Sequence, residues 1–499
     1  MTQDLAFWLP VIIAVPLMAA VFGFLLPRAA FLIALGASLI TSGLVFWVAV
    51  AAVSAGPARH TVGGWGAPLG IDLLLDGFSA LMLVLTAVIG LAITVYAHGY
   101  FQPGDNPAKA HQYDYFWPLW MFLWASLNAL FLSADVFNLY VTLELLGFSA
   151  VALTALAGKP TLLKAAMRYL MVSLSGSLFY LMGVVFLYAE FGVLDIRLLS
   201  AASAETPTLL AAAALVTTGL IMKSALFPLH FWLPPAHANA AAPVSALLSA
   251  LVVKGSLYIV LRLWLDVFYP LADTVAPQVL SLLGVGAVLW GSVQAMQQPR
   301  LKLLVAYSTV AQLGYMFLLM PILLKDRGDS AALAAVISFV IAHAVAKAAA
   351  FLSAGSILHA LKDDRITSLT GLMKKMPATT ATFAMAGISL IALPPSAGFL
   401  AKYQMLQAAL ANGYWGLVFV VIVGGLLAAV YIMRVLGPAF KKTEPYGAES
   451  PATKTVHVPL VMSIPALALA LLAIVIGFLG VYLLELLAVG TPWMLKGGL

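Results

Sequence analysis

The chain has 499 residues, of which 63% are hydrophobic and only 9% charged, with a mean hydropathy of +1.04 and no cysteine. Ordinary soluble domains carry about 25% charged residues, so this is a polytopic membrane protein. Disulfides, thiolate zinc sites and cysteine-ligated iron–sulfur clusters are excluded from it. The net charge of +6 is small and collects in one set of connections, which reads as membrane topology rather than nucleic-acid binding.

At roughly 20 apolar residues per span, the chain holds about 14 transmembrane helices. In chain order they are predicted over Leu5–Leu26, Ala30–Val53, Leu73–His98, Phe116–Leu132, Val136–Ala157, Ala166–Glu190 and Thr208–Leu233. Then follow Pro243–Leu265, Ala276–Met296, Leu303–Leu324, Ala331–His359, Ala378–Leu410, Tyr414–Leu436 and Val458–Leu487. The first lacks a basic leader and holds Pro10 and Pro16, so it is expected to be a retained span rather than a cleaved signal.

Basic residues set the orientation. The odd-numbered connections carry Arg28, Lys109, Lys159, Lys164, Arg168, Arg300, Lys302, Lys362, Arg365, Lys374, Lys375, Lys441, Lys442 and Lys454. The even-numbered connections and the C-terminus carry only Arg59, Arg197, Arg262, Lys325, Arg327 and Lys496. The odd side is therefore expected to be cytoplasmic, with both termini outside.

Five basic residues lie within the spans: Lys223, Lys254, Lys347, Lys402 and Arg434. Arg434 is near a span end, from which it can snorkel to water. Lys254 is about eleven residues into its helix, about 16 Å at 1.5 Å per residue, and cannot. A lysine at that depth costs about 2.5–3.5 kcal/mol and points to a functional site with a partner.

Two spans are broken by proline. Lys223 precedes Pro228 in KSALFPLHFWLPPAHANAAAPVSALLSALVVKG, and Lys402 follows Pro394 and Pro395 in LPPSAGFLAKYQ. Proline removes a backbone donor and opens the helix ladder, which a membrane tolerates where the backbone is buried in protein or lines a wet cavity. Interrupted segments five spans apart predict paired inverted repeats of five helices, with Lys402 as the counterpart of Lys223. The expected units are 1–110 (three helices), 111–270 and 271–440 (the repeats) and 441–499 (the last span).

Glu144 lies about nine residues into the fifth span with no basic residue on its own helix. Pairing with Lys223 across helices would offset both buried charges; the alternative is a neutral carboxyl bonded to backbone or Asn138. Lysine suits proton relay because a single buried ammonium gives up its proton far more readily than a guanidinium. His343 and Lys347 are four apart and share a helix face, with His359 farther along the same span. His230 and His237 lie in the first broken region, where lining a water path, capping broken backbone and sitting in a short non-membrane turn are equally open. Neither histidine set has metal-site spacing. Asp72, Asp76 and Glu485 are expected to be solvated near span ends.

Together the Lys223–Lys254 run, the Glu144 segment, the His343–Lys347 pair and LPPSAGFLAK resemble the proton-conducting membrane transporter family. That family is shared by Mrp-type cation/proton antiporters, the antiporter-like subunits of respiratory complex I and membrane-bound hydrogenases. GGWGAPLGIDLLLD resembles the D-type branch of the Mrp antiporter subunits, whereas HFWLPPAHANAAAPVSALLSALVVKG is closer to hydrogenase and complex I relatives. The resemblance implies a relay of Glu144, Lys223, Lys254, His343, Lys347 and Lys402, without cofactor, metal or catalytic group. It also implies a hetero-oligomer of membrane subunits in a bacterial or archaeal cytoplasmic (inner) membrane.

The short stretch after the last span fits a D-, M- or N-like core subunit. The expected function is proton translocation in a multisubunit monovalent cation (Na+)/proton antiporter; the alternative is the proton-pumping subunit of a complex I-type oxidoreductase or membrane-bound hydrogenase. A solitary solute transporter is disfavoured by the lack of any polar pocket beyond the lysines.

Overall fold

The computed structural model describes residues 2–102, 107–325, 330–441 and 457–491. The predicted positions Arg327, Lys442, Lys454 and Lys496 lie outside these residues. The fold is all-α and polytopic, with 12 helices among the described residues long and apolar enough to cross a membrane, plus two shorter apolar helices that begin interrupted spans.

In chain order these are α1 (Thr2–Leu25), α2 (Ala30–Ala55), α3 (Gly77–Phe101), α4 (Pro107–Leu132), α5 (Val136–Ala155) and α6 (Pro160–Phe191). The first interrupted span is α7a (Pro207–Lys223) and α7b (Leu233–Asn239), followed by α8 (Ala242–Asp266), α9 (Ala276–Gln297), α10 (Leu301–Lys325) and α11 (Ser330–Leu361). The second is α12a (Pro377–Ile391) and α12b (Ala397–Ala411), and α13 (Trp415–Phe440) and α14 (Leu460–Leu487) complete the bundle.

One predicted boundary is corrected. Residues expected to open the third span instead form β2 (Asp72–Leu75), paired antiparallel with β1 (Ala58–Thr61). The helix cannot start earlier than Gly77 because Asp76 caps it. The Asp76 carboxylate accepts from the Ser79 amide at 2.9 Å, and the Asp76 amide donates to the Ser79 hydroxyl at 2.9 Å, a reciprocal capping box.

The even-numbered connections meet at one end of the bundle. There the backbone of Leu73 bridges Ser133, Asp135 bridges Asp195, and the Gly77 amide donates to the Val489 carbonyl. The odd-numbered connections meet at the other end, where Arg300 bridges Arg365 and the Gly371 amide donates to the Pro438 carbonyl. These ends are called the even and odd faces below.

Both interrupted spans stop in the same way. Ala225 (φ 54°) and Ala392 (φ 78°) are left-handed, where glycine is usual. The amide of Leu226 donates to the Ile221 carbonyl at 3.1 Å and that of Leu393 to the Ile388 carbonyl at 3.0 Å. Ala225 and Ala392 donate to Met222 and Ser389 in turn. Each end is a Schellman motif, so helix-terminal carbonyls that lipid could not satisfy are closed within the chain.

Burial separates core from rim. The apolar windows of α8, α10 and α11 are 100%, 89% and 94% buried, against 39% for α1 and α2. The central helices carry most of the deep basic residues and stand away from lipid.

Candidate functional site

The first group of charges is built by close helix packing. A side-chain carbon added at Gly176 of α6 would lie 2.8 Å from the Gly219 carbonyl of α7a and 3.2 Å from Cγ of Lys223. Small residues at this crossing bring the two backbones together, and Lys223 passes through the space to α5. Its ammonium lies 2.9 Å from Oε1 of Glu144 and 3.4 Å from the Leu143 carbonyl. Ser177 of α6 donates to the same carboxylate oxygen. The pair is buried on the lysine side, 5% exposed, and 15% exposed on the glutamate side. Asn138 bonds Ser133 instead, so the paired reading of Glu144 holds.

The second group lies in the centre. A π-helical turn, Leu248–Val252, widens α8, and turns of this kind recur at functional sites. Lys254 donates to the Ser249 carbonyl that this turn presents, and its ammonium lies 2.6 Å from Nδ1 of His343 on α11. Ser249 in turn contacts the Thr309 hydroxyl at 3.0 Å. Lys347, one turn from His343, points elsewhere, to the Val305 carbonyl at 3.0 Å and the Ser308 hydroxyl. The expected His343–Lys347 face is therefore split between two partners on α8 and α10.

Lys402 forms a third position. Its ammonium lies 4.5 Å from the centre of the Tyr315 ring and 3.4 Å from the Leu390 carbonyl. Lys223 closes α7a ahead of its break, whereas Lys402 sits in α12b beyond its own. The position in α12a that matches Lys223, two residues ahead of the left-handed alanine, is Leu390. Lys402 thus reaches back across the break to that place, rather than sharing the register of Lys223.

The breaks hold Pro228, Pro394 and Pro395 as expected. His230 stacks near Phe227, and its Nδ1 is buried without a hydrogen-bond partner. His237 is fully buried, with Nδ1 3.1 Å from the Ser245 carbonyl. His359 packs against Tyr100.

Other expectations are corrected. Asp72 and Asp76 are buried, not solvated: Arg59 lies 2.6 Å from Asp72 and also pairs with Asp195, while Arg262 grips both oxygens of Asp76 at 2.5 and 2.9 Å. Arg262 and Lys302, counted with the connections, are buried inside the bundle. Hydropathy does not separate Lys302 from its neighbour Arg300, and only the packing of the α7b–α8 junction over it does. Glu485 is exposed, and Arg434 is exposed with its guanidinium donating to the Met296 carbonyl. Sequence reasoning also missed Ser177, Ser249, Ser308 and Tyr315; the recurrence of small hydroxyls along apolar helix faces was the available signal.

Among the described residues no three His, Asp or Glu side chains gather to hold a metal ion. The assembled groups are Brønsted acids and bases with carbonyl and hydroxyl partners.

Residues 133–428 match the family described as NADH:quinone oxidoreductase/Mrp antiporter, transmembrane region. The chain belongs to this family. All six relay candidates, Glu144 to Lys402, fall within the matched region. Residues 65–109 match the N-terminal region of complex I chain 5.

Over 98% of its length this member of the NADH:quinone oxidoreductase/Mrp antiporter family is 34% identical to NADH-quinone oxidoreductase subunit N of Desulforudis audaxviator, covering 99% of that protein. It is 29% identical to the D-type subunit of the Na(+)/H(+) antiporter of Alkalihalophilus pseudofirmus, over 84% of this chain and 82% of that one. A chain in the structure of the Mrp complex from Dietzia sp. DQ12-45-1b superposes with a TM-score of 0.86 at 26% identity, covering 97% of this chain and 96% of that one.

Proposed function

We propose that the chain is the proton-translocating subunit of a multisubunit monovalent cation/proton antiporter, with Na+ as the exchanged ion. It works beside other membrane subunits in a bacterial or archaeal cytoplasmic membrane. The observation that carries this reading is the buried Glu144–Lys223 ion pair at 2.9 Å, followed inward by the Lys254–His343 contact at 2.6 Å.

Protons move by changing partners. While Glu144 is ionised it holds the Lys223 ammonium; protonation of Glu144 removes that anion and favours loss of the Lys223 proton inward. Lys254 is the next acceptor on this side. Its contact with His343 leads to α11, where Lys347 follows, and Lys402 stands beyond at the second break. A row of lysines repels a bare cation, so Na+ takes a path outside the axis.

The five-helix units 111–270 and 271–440 are read as an inverted repeat. The matching Schellman ends at Ala225 and Ala392, and the bridges Asp135 to Asp195 and Arg300 to Arg365 at opposite ends of the bundle, support this. The acidic bridge residues lie on the even face and the basic ones on the odd face. This supports an odd side that is cytoplasmic and termini that lie outside.

The identity to subunit N favours a second reading, in which electron transfer in a complex I-type assembly drives the same relay. Purification of the native complex separates the two. Sodium-dependent collapse of a pH gradient by a complex without iron–sulfur signals in electron paramagnetic resonance supports the antiporter; those signals together with NADH- or hydrogen-driven pumping support the alternative. In either assembly, Glu144→Ala and Lys223→Ala are expected to abolish proton transport with assembly intact, and full transport in either variant refutes the relay.

A further inference from the structure

Lys302 is a buried titratable group that the relay above does not use. It stands at the odd-face start of α10, 1% exposed, and its ammonium lies 2.5 Å from the carbonyl of Ala240, where α7b ends. Among the described residues no carboxylate lies within ion-pair distance of it. Asp364 is tied to the neighbouring residue, its carbonyl accepting from the Leu301 amide at 2.7 Å; its side chain is buried and held by Arg300 at 2.9 Å through Oδ1. Its Oδ2 is buried without a hydrogen-bond partner.

His237 shares the Ala240 junction with Lys302: the Ser245 hydroxyl reaches the Ala240 carbonyl at 3.5 Å and the His237 carbonyl at 2.7 Å. The His237 ring is fully buried and stacks, with ring centres 5.2 Å apart, on Phe351, one turn along α11 from Lys347. The Ser245 carbonyl can only accept, so the Nδ1 of His237 carries the proton of the neutral ring. Nε2 then presents a lone pair, and it too is buried without a partner. Two orphaned polar atoms, Asp364 Oδ2 and His237 Nε2, thus belong to the residues gathered around the buried Lys302 side chain. Buried polar atoms are almost always satisfied, by protein or by ordered water.

We propose that Asp364, Lys302 and His237 form a hydrated proton port that joins the odd face to the central lysines; the proposal rests on the relay reading above. A proton from water on the odd face is taken up at Asp364 Oδ2 and passes through water to the neutral amine of Lys302. The resulting ammonium passes one proton to Nε2 of His237, and the imidazolium gives that proton to a neutral amine, Lys347 or Lys254. Each step moves one proton, restores the donor to its starting state and needs no other reactant.

The competing role for Lys302 is structural, as a cation at the C-terminal end of α7b. Lys302→Arg keeps that charge and the hydrogen bond but cannot release its proton at working pH. His237→Gln likewise keeps a donor for the Ser245 carbonyl without a titrating ring. The experiment is proton flux of the whole complex in proteoliposomes, read by a pH-sensitive dye, with Glu144→Gln measured in parallel.

The port predicts at least a tenfold loss in both Lys302→Arg and His237→Gln, with the complex recovered intact. Flux within twofold of wild type in either overturns it. If those two retain flux while Glu144→Gln loses it, the port alone fails; if Glu144→Gln retains flux, the relay itself fails. Should a variant not assemble, a high-resolution cryo-EM map of the wild-type complex decides. Ordered water between Asp364 and His237 is expected, and a dry, filled volume there overturns the port.

Discussion

The ammonium of Lys254 and Nδ1 of His343 are 2.6 Å apart, between the two most deeply buried spans and across 89 residues of sequence. When Lys254 is an ammonium it donates to this nitrogen, and the proton of the neutral ring is then on Nε2, which has no partner. His343→Gln preserves a hydrogen-bond acceptor for Lys254 and removes the titration. Loss of an acid–base group slows proton transfer by about 10²–10⁴-fold. Both His343→Gln and His343→Ala are expected to lose flux on at least the lower of these scales, measured in proteoliposomes. A glutamine variant at the wild-type rate would assign His343 a purely structural role.

Glu144 and Lys223 form a pair in which each group depends on the other. Removing one partner of a buried ion pair costs about 3–5 kcal/mol, because the remaining charge is left uncompensated; with Glu144 partly exposed, the lower end applies. Glu144→Gln alone should lower the unfolding temperature of the complex more than Glu144→Gln combined with Lys223→Met. The double variant should recover stability while remaining silent in transport. A scanning fluorimetry series on the purified complex checks the first point, and a flux assay the second. Strict additivity of the two single effects would show that the residues do not interact.

Ala225 and Ala392 occupy a left-handed backbone position that costs an L-residue roughly 1–2 kcal/mol. Glycine there removes that cost but loses about 0.5–1 kcal/mol through the unfolded chain. Ala225→Gly and Ala392→Gly are therefore expected to be neutral or to stabilise by up to about 1.5 kcal/mol. Ala225→Val should destabilise clearly, since a β-branched residue is a poor fit at positive φ. Equal unfolding temperatures for the valine and glycine variants would contradict this account of how the spans end.

Arg262 holds Asp76 through two hydrogen bonds and also reaches the Tyr258 hydroxyl at 2.8 Å. Arg262→Gln leaves the Asp76 carboxylate buried and is expected to cost about 3–5 kcal/mol. Asp76 also caps α3, so Asp76→Asn, which keeps the capping oxygen, should cost less than Asp76→Ala. The yield and melting temperature of the purified complex measure both. Equal losses for the asparagine and alanine variants would remove the cap from the explanation.

The sequence by itself determined the membrane class, the spans, the two proline breaks and the depth of Lys223, Lys254, Lys347 and Lys402. Hydropathy and proline chemistry act along the chain, and they report how far a residue lies from a span end. It also pointed to Glu144 as the partner of Lys223, because few other buried charges could answer the cost. Only the tertiary structure decided lateral partnership. Lys254 meets His343, Lys347 turns to Ser308 and Val305, and Lys402 folds back to Leu390, since these depend on which helices pack together and in what register. The same reason hid Asp76 with Arg262, and Lys302 beneath the α7b–α8 junction. A charge near a span end looks solvated in one dimension until the packing of other segments covers it.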